Sequence, residues 1–447
     1  MSKITLSNRI VNSWCMYDWA NSVYNLVICS AIYPIYYESI TSIKDADKHI
    51  IKDTVTFLGM EFKNTVLSMY ALSFSFLIVC ILSPILSSIA DTRGNKKSFL
   101  KFFCYMGATA CAGLYFLLPG INGEQPAMLG WGIFCMIMAS IGFWGGLVFY
   151  NSFLPDIASH DDMDKISARG FSLGYLGSST LLILCLIFIT VMKNYGYPSS
   201  LAPRICFLAV AVWWVSFAQI LFYNVPEQKI SNRVKASLFK GFHKLHEVYK
   251  SATSSKSMKT FLASFFFYNM GVQTVMQVAV YFGAKLLALP SDKLIPTILT
   301  IQFVGIAGSF LFSYLSKMFG NKLSLSMAVF IWIGVCISAW FVAEYKSEKG
   351  FYILAFFVGL VMGGIQSLSR ATYSKLIPEG AHDTASFFSF YDITEKIAMV
   401  IGLFLFAFIE QHSDGMQNSL FAVIVFFILG FLLLIPLKDN RLKAYKQ

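Results

Sequence analysis

The feature that most constrains this chain is a series of long apolar runs. A helix needs about 20 mostly apolar residues to cross the hydrocarbon core of a bilayer. The runs lack the two-residue alternation of barrel strands and are roughly twice as long. They predict an all-α integral membrane protein with twelve transmembrane helices, here called spans 1 to 12. The predicted spans lie at about 14–38, 65–89, 98–118, 128–152, 168–192, 203–224, 260–288, 295–318, 322–344, 351–376, 385–410 and 417–437.

Composition excludes the other broad classes of protein. Of the 447 residues, 56% are hydrophobic and 13% are charged, whereas soluble domains have about 25% charged residues. A disordered chain is excluded because there is ample apolar surface to bury. The net charge of +11 would suggest nucleic acid in a soluble protein. In this chain we expect the lipid bilayer, and no nucleic acid, as the partner.

The distribution of Lys and Arg predicts the orientation of the chain in the membrane. With twelve spans, both termini lie on one side. The segments on that side hold 24 of the 35 Lys and Arg residues, against 10 on the other side. Cytoplasmic segments carry the excess of positive charge. We therefore expect a multi-pass protein of the cell membrane with both termini in the cytoplasm.

The two halves of the sequence resemble each other weakly. Four short matches recur in the same order at corresponding span positions, which favours a duplication of six spans. The matches are Tyr17-Asp18 with Tyr268-Asn269, Gly94-Asn95-Lys96 with Gly320-Asn321-Lys322, Leu154-Pro155-Asp156 with Ile377-Pro378-Glu379, and Phe171-Ser172 with Phe388-Ser389.

The duplication predicts three parts: a six-helix bundle over 1–224, a basic cytoplasmic linker over 225–259, and a second six-helix bundle over 260–447. The linker holds eight Lys and Arg residues and two Glu residues. It is either an amphipathic surface helix attracted to anionic lipid or a solvated connection. Two parallel six-span halves are typical of the major facilitator fold, in which substrates bind between halves that rock.

Three segments also resemble one family, the "unknown major facilitator" group related to the autophagy-related vacuolar amino-acid effluxers of fungi. They are Tyr17-Asp18-Trp19-Ala20-Asn21-Ser22, Tyr150 to Pro155 with Gly174-Tyr175-Leu176-Gly177, and Gly363 to Arg370 with Phe387-Phe388-Ser389-Phe390-Tyr391. The resemblance implies transport by a cavity lined by spans 1, 4, 7 and 10. It also implies that span 11 more often supports that lining, and it adds Tyr175 to the candidate residues.

Polar residues inside the spans are the candidate substrate site. A polar group facing lipid is costly, so such residues usually face a cavity or a partner. Span 1 carries a stripe of Asp18, Asn21, Ser22 and Asn25 at helical spacing. The corresponding residues on spans 7 and 10 are Asn269, Gln273, Gln277, Gln366 and Arg370. For Asp18, a cap or gate near the cytoplasmic edge is as reasonable as substrate contact.

Span 11 carries three charges near its middle. Asp392 and Lys396 are spaced i, i+4 with the acid first, which favours an ion pair. Glu395 then remains for substrate, a proton or a neighbouring helix. Interhelical stabilisation alone is the alternative for these residues.

Two polar loops are interpreted separately. The loop after span 2 partly matches the superfamily's motif, and we expect Asp91, Arg93, Gly94, Lys96 and Lys97 to act in gating and topology. The acidic segment with Asp156, His160, Asp161, Asp162 and Asp164 lacks the spacing of a calcium loop and is predicted to be an exposed cytoplasmic loop.

These features predict a secondary transporter that moves a small polar solute, such as an amino acid, by alternating access. Asp18 or Glu395 is the candidate proton carrier if transport is coupled to protons. The alternatives are a facilitator for sugars or nucleosides and a non-transporting receptor or scaffold of the same fold. All six histidines fall in loops, so we expect no enzyme, no cofactor and no metal centre. We expect the chain to act as a monomer.

Overall fold

A computed structural model describes most of the chain. The described residues are 8–44, 50–52, 54–120, 124–126, 128–226, 250, 255–283, 287, 289, 291–378, 381, 383–412 and 416–437. Most of the predicted linker over 225–259 and the extreme termini lie outside these residues. The boundaries of the three predicted parts therefore stay predictions.

The described residues form twelve long helical segments, which confirms the predicted number of spans. Their bounds differ from the predicted ones by a few residues at most ends, as expected for helix termini. Span 1 comprises Asn8–Val23, Tyr24–Ile32 and Tyr33–Thr41. Spans 2 to 6 are Asn64–Arg93, Lys96–Gly113, Leu129–Ser152, Met163–Asn194 and Leu201–Asn224. Spans 7 to 12 are Lys256–Tyr281, Ser291–Phe319, Asn321–Glu344, Glu348–Leu376, Thr384–His412 and Met416–Leu434.

Nine of these helices are long and apolar enough to cross a membrane by length and composition, among the residues described. The three outside this set are spans 1, 7 and 11. They are also the spans in which the sequence places polar stripes or a group of charges. Because polar side chains lower the mean hydropathy of a span, the same residues that mark the candidate site make these helices the least lipid-like.

Span 1 contains a π-helical stretch at Tyr24–Ile32 between two α-helical pieces. Such wider turns are rare and occur frequently at functional sites. The stretch begins just before Asn25, the last member of the polar stripe, and ends two residues before Pro34. It changes the helical register between the buried start of span 1 and its far end.

The described residues of the loop between spans 1 and 2 form two antiparallel hairpins that the sequence does not predict. Their strands are β1 (Ile43–Lys44) with β2 (Ile50–Lys52), and β3 (Thr54–Phe57) with β4 (Met60–Lys63). Leu58 and Gly59 connect β3 to β4, both with positive φ, as two-residue hairpin turns require. The Thr56 N–H donates to the Gln125 side chain at 2.8 Å, which joins the hairpin to the loop after span 3.

Helix packing follows a two-fold pattern, as predicted for two pseudo-symmetric bundles. In the first half, span 1 packs on spans 5 and 6, span 3 on spans 4 and 6, and span 2 on span 4. The second half repeats the same pairs with each number raised by six. The loops after spans 2 and 8 also match, because Gly94 and Gly320 both have positive φ.

The halves meet mainly through spans 2, 4 and 5 of the first and spans 8, 10 and 11 of the second. At one end of the molecule lie the beginnings of the odd-numbered spans and the ends of the even-numbered ones. We call this end the terminal face, because span 1 begins there and span 12 ends there. Under the predicted topology it is the cytoplasmic face.

Spans 8 and 10 approach each other so closely that their backbones touch. A Cβ added to Gly308 would lie 2.0 Å from the Leu360 carbonyl oxygen, and one added to Gly363 would lie 2.0 Å from the Gly305 carbonyl oxygen. Only glycine fits such a contact. The two spans therefore form one tightly packed unit.

Candidate functional site

An ion pair joins the two halves near the terminal face. The Arg370 Nη1 of span 10 lies 3.2 Å from the Asp18 Oδ2 of span 1. The same oxygen accepts a hydrogen bond from the Tyr150 hydroxyl at 2.8 Å. Arg370 also donates to the hydroxyl and the carbonyl oxygen of Ser167, at 2.9 and 2.8 Å. We call Asp18 and Arg370 the central pair.

Aromatic rings and a glycine enclose the central pair. The Arg370 guanidinium lies 4.2 Å from the Phe171 ring centroid and 4.8 Å from that of Trp14, and such stacking stabilises a desolvated cation. The Trp14 ring stacks on Tyr150. A Cβ at Gly170 would lie 2.5 Å from Asp18 Oδ2 and 2.9 Å from Arg370 Nη2. Glycine at this position therefore leaves the room in which the pair forms.

A second contact between the halves involves the predicted gating loop. The Asp91 carboxylate accepts hydrogen bonds from the backbone N–H groups of Ala385 and Ser386 and from the Ser386 hydroxyl, at 2.7 to 3.2 Å. The negative charge of Asp91 is thus placed at the N-terminus of span 11, where the helix dipole favours it. Lys96 donates to Thr384 and to Asp156, the latter at 3.1 Å. We call this group the span 2–11 contact.

The remaining loop residues have different surroundings. Gly94 turns the chain with a positive φ of 67°, and Lys97 donates to the Val225 carbonyl oxygen at 2.8 Å. Arg93 is exposed. Lys97 therefore fastens the loop to the end of span 6 within the first half, whereas Asp91 and Lys96 reach the second half.

A third contact corrects the prediction that residues 156–164 form an exposed loop. His160, Asp161 and Asp162 are exposed, but Asp156 is half-buried against Lys96 and Asp164 is buried. Its carboxylate accepts from the Lys375 ammonium at 2.6 Å and from the Asn321 amide at 2.8 Å. The prediction failed because the partners of Asp164 are on three other helices, spans 8, 9 and 10. We call this group the span 5–8 contact, since the hydroxyl of Ser316 on span 8 also donates to Asp164 at 2.7 Å.

The three charges on span 11 form a buried cluster in mid-span. Lys396 Nζ lies 3.1 Å from Asp392 Oδ1, as the spacing predicts, and 3.4 Å from Glu395 Oε2. It also lies 3.8 Å from the ring centroid of Trp144 on span 4, so the cluster touches the first half. Glu395 accepts from the Gln273 amide of span 7 at 3.1 Å. We call Asp392, Glu395 and Lys396 the span 11 cluster.

The polar stripes of spans 1 and 7 become more exposed with distance from the terminal face. On span 1, Asn21 is buried whereas Asn25, one turn further on, is exposed. On span 7, Asn269 and Gln273 are buried whereas Gln277 is exposed. The two stripes therefore share one gradient of burial.

Tyr175 and Gln366 also connect the halves. The Tyr175 hydroxyl of span 5 donates to the Gln366 side-chain oxygen of span 10 at 2.8 Å. Gln366 is half-buried, and it lies one turn before the fully buried Arg370 along span 10. On span 10, as on spans 1 and 7, the polar side chains therefore become more exposed with distance from the terminal face.

The structure thus brings the predicted residues into two linked regions rather than one. Asp18 and Arg370 belong to the terminal-face contacts, and Gln273 belongs to the surroundings of the span 11 cluster. Residues that sequence reasoning did not select complete both regions; they are Tyr150, Ser167, Phe171, Trp144, Asp164 and Lys375. The internal repeat gave a signal for Asp164, because the symmetry equivalent of the span 2–11 contact is a span 8–5 contact.

An apolar cavity of about 70 Å³ lies elsewhere, inside the second half. Its lining includes Thr274, Phe282 and Phe406, and none of the predicted polar residues lines it. The Thr274 hydroxyl donates to the Met270 carbonyl oxygen of its own helix, and a cavity that exposes only apolar atoms cannot orient a polar solute. The polar residues between the halves are therefore the better candidate site.

Comparison with known proteins assigns the chain to a family. The profile of the family described as "Vacuole effluxer Atg22 like" matches residues 7–446. The chain belongs to this family. It is 31% identical to the uncharacterized MFS-type transporter YxiO of Bacillus subtilis, over 95% of this chain and 93% of that protein. It is 24% identical to autophagy-related protein 22 of Eremothecium gossypii, over 95% of this chain and 90% of that protein.

Solved structures confirm the major facilitator fold. The E. coli fucose:proton symporter FucP is similar with a TM-score of 0.68 at 11% identity, over 98% of this chain and 100% of that one. The proton:xylose symporter XylE is similar with a TM-score of 0.69 at 13% identity, over 98% of each chain. The chain is therefore a multi-pass membrane protein of a transporter superfamily, as its sequence predicts.

Proposed function

We propose that this protein is a secondary transporter that moves a small polar solute, an amino acid or a similar zwitterion, by alternating access. The family assignment supports transport as the activity. The proposal adds the solute class and the residues that contact it. It also adds proton coupling, with the protein in the cell membrane and both termini in the cytoplasm.

The observation that carries the proposal is the shared gradient of burial along the polar stripes. Lipid cannot satisfy an amide, so the exposed ends at Asn25 and Gln277 are best explained by a water-filled entrance. At the terminal face the same pathway is closed by the central pair and by the span 2–11 and span 5–8 contacts. A polar pathway open at one face and sealed at the other is what alternating access requires.

The polar residues between the halves suit a solute with both donors and acceptors. Gln366, Tyr175 and Gln273 offer amide and hydroxyl groups that recognise carboxylates and amines by hydrogen bonds. Arg370 is engaged by Asp18 while the terminal face is closed. Its positive charge becomes available to an anionic group only when that face opens, which would favour release or capture on the terminal side.

Proton coupling is proposed through the acidic groups between the halves. Asp18 and Glu395 are the two candidates, and each touches a residue of another span. Asp18 contacts Arg370 at 3.2 Å, and Glu395 contacts Gln273 at 3.1 Å. Protonating either carboxylate would weaken a contact to a cation or an amide donor, which links proton binding to helix movement.

Uptake by purified protein in liposomes tests the proposal. Thermal shift with amino acids, sugars and nucleosides first selects a ligand, because a ligand stabilises the state it binds. We expect an amino acid to raise the unfolding temperature and its labelled form to enter liposomes faster when a pH gradient is imposed. Flux that is selective for sugars or nucleosides would contradict the proposed solute class.

A pair of matched variants tests the site. Gln366→Leu should abolish saturable uptake, because it removes the amide that Tyr175 contacts between the halves. Gln219→Leu is the control, since Gln219 lies on span 6 and its bonds, to the Val215 carbonyl and from the Tyr105 hydroxyl of span 3, stay within the first half. Equal flux in the two variants would show that Gln366 does not contact the solute.

A further inference from the structure

The span 11 cluster carries an excess of negative charge in the middle of a membrane span. It contains two carboxylates and one ammonium, and the Lys396 side chain is fully buried. The central pair is balanced, with one positive and one negative group. An unpaired charge in the hydrocarbon region is costly unless it meets water or a counter-charge. The cluster is therefore short of one positive charge.

The surroundings of the cluster supply no further cation among the described residues that face it. Trp144 of span 4 and Gln273 of span 7 are uncharged. The other titratable groups near the cluster are Cys80 of span 2, Tyr268 of span 7 and Tyr391 of span 11. Thiols and phenols are neutral at pH 7. Arg370 interacts electrostatically with Tyr391, but its charge is matched by Asp18.

In this cluster the Glu395 carboxylate is partly exposed, and one carboxylate oxygen of Asp392 accepts no hydrogen bond from the described residues. The side chain of Glu395 is 19% exposed, whereas that of Asp392 is 6% exposed. Asp392 Oδ2 is buried and has no hydrogen-bond partner in the part of the chain that the structure describes. A buried carboxylate oxygen without a donor is destabilising, so it marks a position where a donor or a cation is missing.

We propose that the span 11 cluster binds one monovalent positive charge, which enters past Glu395. The chemical class is a proton, a sodium ion or a primary ammonium group carried by the solute. Each would bring the cluster to neutrality, and the last two would be bound by the carboxylate oxygens of Asp392 and Glu395. The proposal deepens the proposed function, which names Glu395 as a candidate proton carrier and takes the pathway beside it to be open to water; it adds that the whole cluster lacks one positive charge and that Asp392 takes part in binding it.

The stability of purified protein tests this proposal without requiring transport. In Glu395→Gln the cluster is neutral, so at pH 8 in choline chloride this variant should unfold at a higher temperature than the original protein, by about 2 °C or more. This difference in unfolding temperature should disappear when a cation binds to the cluster of the original protein. If the difference disappears at pH 5, the bound cation is a proton. If it disappears in sodium chloride, the cation is sodium, and if it disappears in methylammonium chloride, the cation is an ammonium group.

Two further variants serve as controls. Glu395→Asp keeps the charge and should respond to the added cation as the original protein does. Glu344→Gln removes an exposed glutamate at the end of span 9 and should leave the unfolding temperature unchanged in every salt. The proposal is overturned if Glu395→Gln is no more stable than the original protein in choline, or if none of the three additions narrows the gap. Neither result would contradict the transport proposal, which the uptake assay tests separately.

Discussion

The substitution Asp18→Asn tests the role of the central pair most directly. It removes the charge that faces Arg370 but keeps a side chain of the same size, and the amide oxygen can still accept from Tyr150. Removing one partner of a buried ion pair costs about 3–5 kcal/mol because the other charge stays buried and unpaired. Arg370 keeps its two bonds to Ser167 and its stacked rings, so we expect the lower end of this range.

The protein can avoid this cost by opening the terminal face, which exposes Arg370 to water. About 3 kcal/mol corresponds to a factor of roughly one hundred in the ratio of the two states, since 1.4 kcal/mol is tenfold. We therefore expect Asp18→Asn to shift the population strongly towards the state that is open at the terminal face. The double variant with Arg370→Gln should shift it less, because no unpaired charge remains.

The measurement is the distance between spin labels at positions 93 and 317, in a background without the native cysteines. Both native side chains are exposed, and they lie at the terminal-face ends of spans 2 and 8. Asp18→Asn should add a population at longer distance, whereas Asp162→Asn, at an exposed aspartate of the same face, should not. The reasoning is refuted if Asp18→Asn keeps the original distance distribution, or if the double variant shifts it further than either single change.

Three other perturbations have defined outcomes. Gly170→Ala places a methyl group where the central pair forms and should open the terminal face in the same distance assay, while Gly334→Ala, with nothing within 4 Å of the added Cβ, should have no effect. Lys396→Met leaves the buried Asp392 carboxylate and the half-buried Glu395 carboxylate without their cation, and it should lower the free energy of unfolding by about 3–5 kcal/mol; a loss below 1 kcal/mol in a denaturation experiment would contradict the burial of Asp392 and Lys396. Asp91→Asn removes the negative charge at the start of span 11 and should weaken closure by about 0.3–2 kcal/mol, seen as a smaller shift of the label distances than in Asp18→Asn.

Periodicity and composition were enough to predict the architecture. Apolar runs separated by charged loops gave twelve spans, and four short repeats gave the two-fold arrangement that the helix packing confirms. The pair of Asp392 and Lys396 was also predictable, because both residues lie on one helix at a fixed spacing. Local patterns of this kind depend on the geometry of a single helix.

Contacts between helices could not be predicted in the same way. Asp18 and Arg370 are 352 residues apart, and nothing in the sequence around either residue indicates the other. The sequence predicts an exposed loop for Asp164 because the acidic segment around it lacks the spacing of a calcium loop, and only the packing of spans 8, 9 and 10 against span 5 buries this residue. The two hairpins after span 1 were missed because their strands are too short to show an alternating pattern.

The backbone contact of Gly308 with Leu360 and of Gly363 with Gly305 has a mechanical consequence. Span 10 carries Arg370 and Lys375, and span 8 carries Ser316, so the partners of Asp18 and Asp164 are borne by two helices that cannot slide apart without losing this contact. Breaking either the central pair or the span 5–8 contact must therefore displace the residues of the other. We therefore expect the terminal face to open in one concerted step. Intermediates in which only one of the two contacts is broken should be too strained to accumulate.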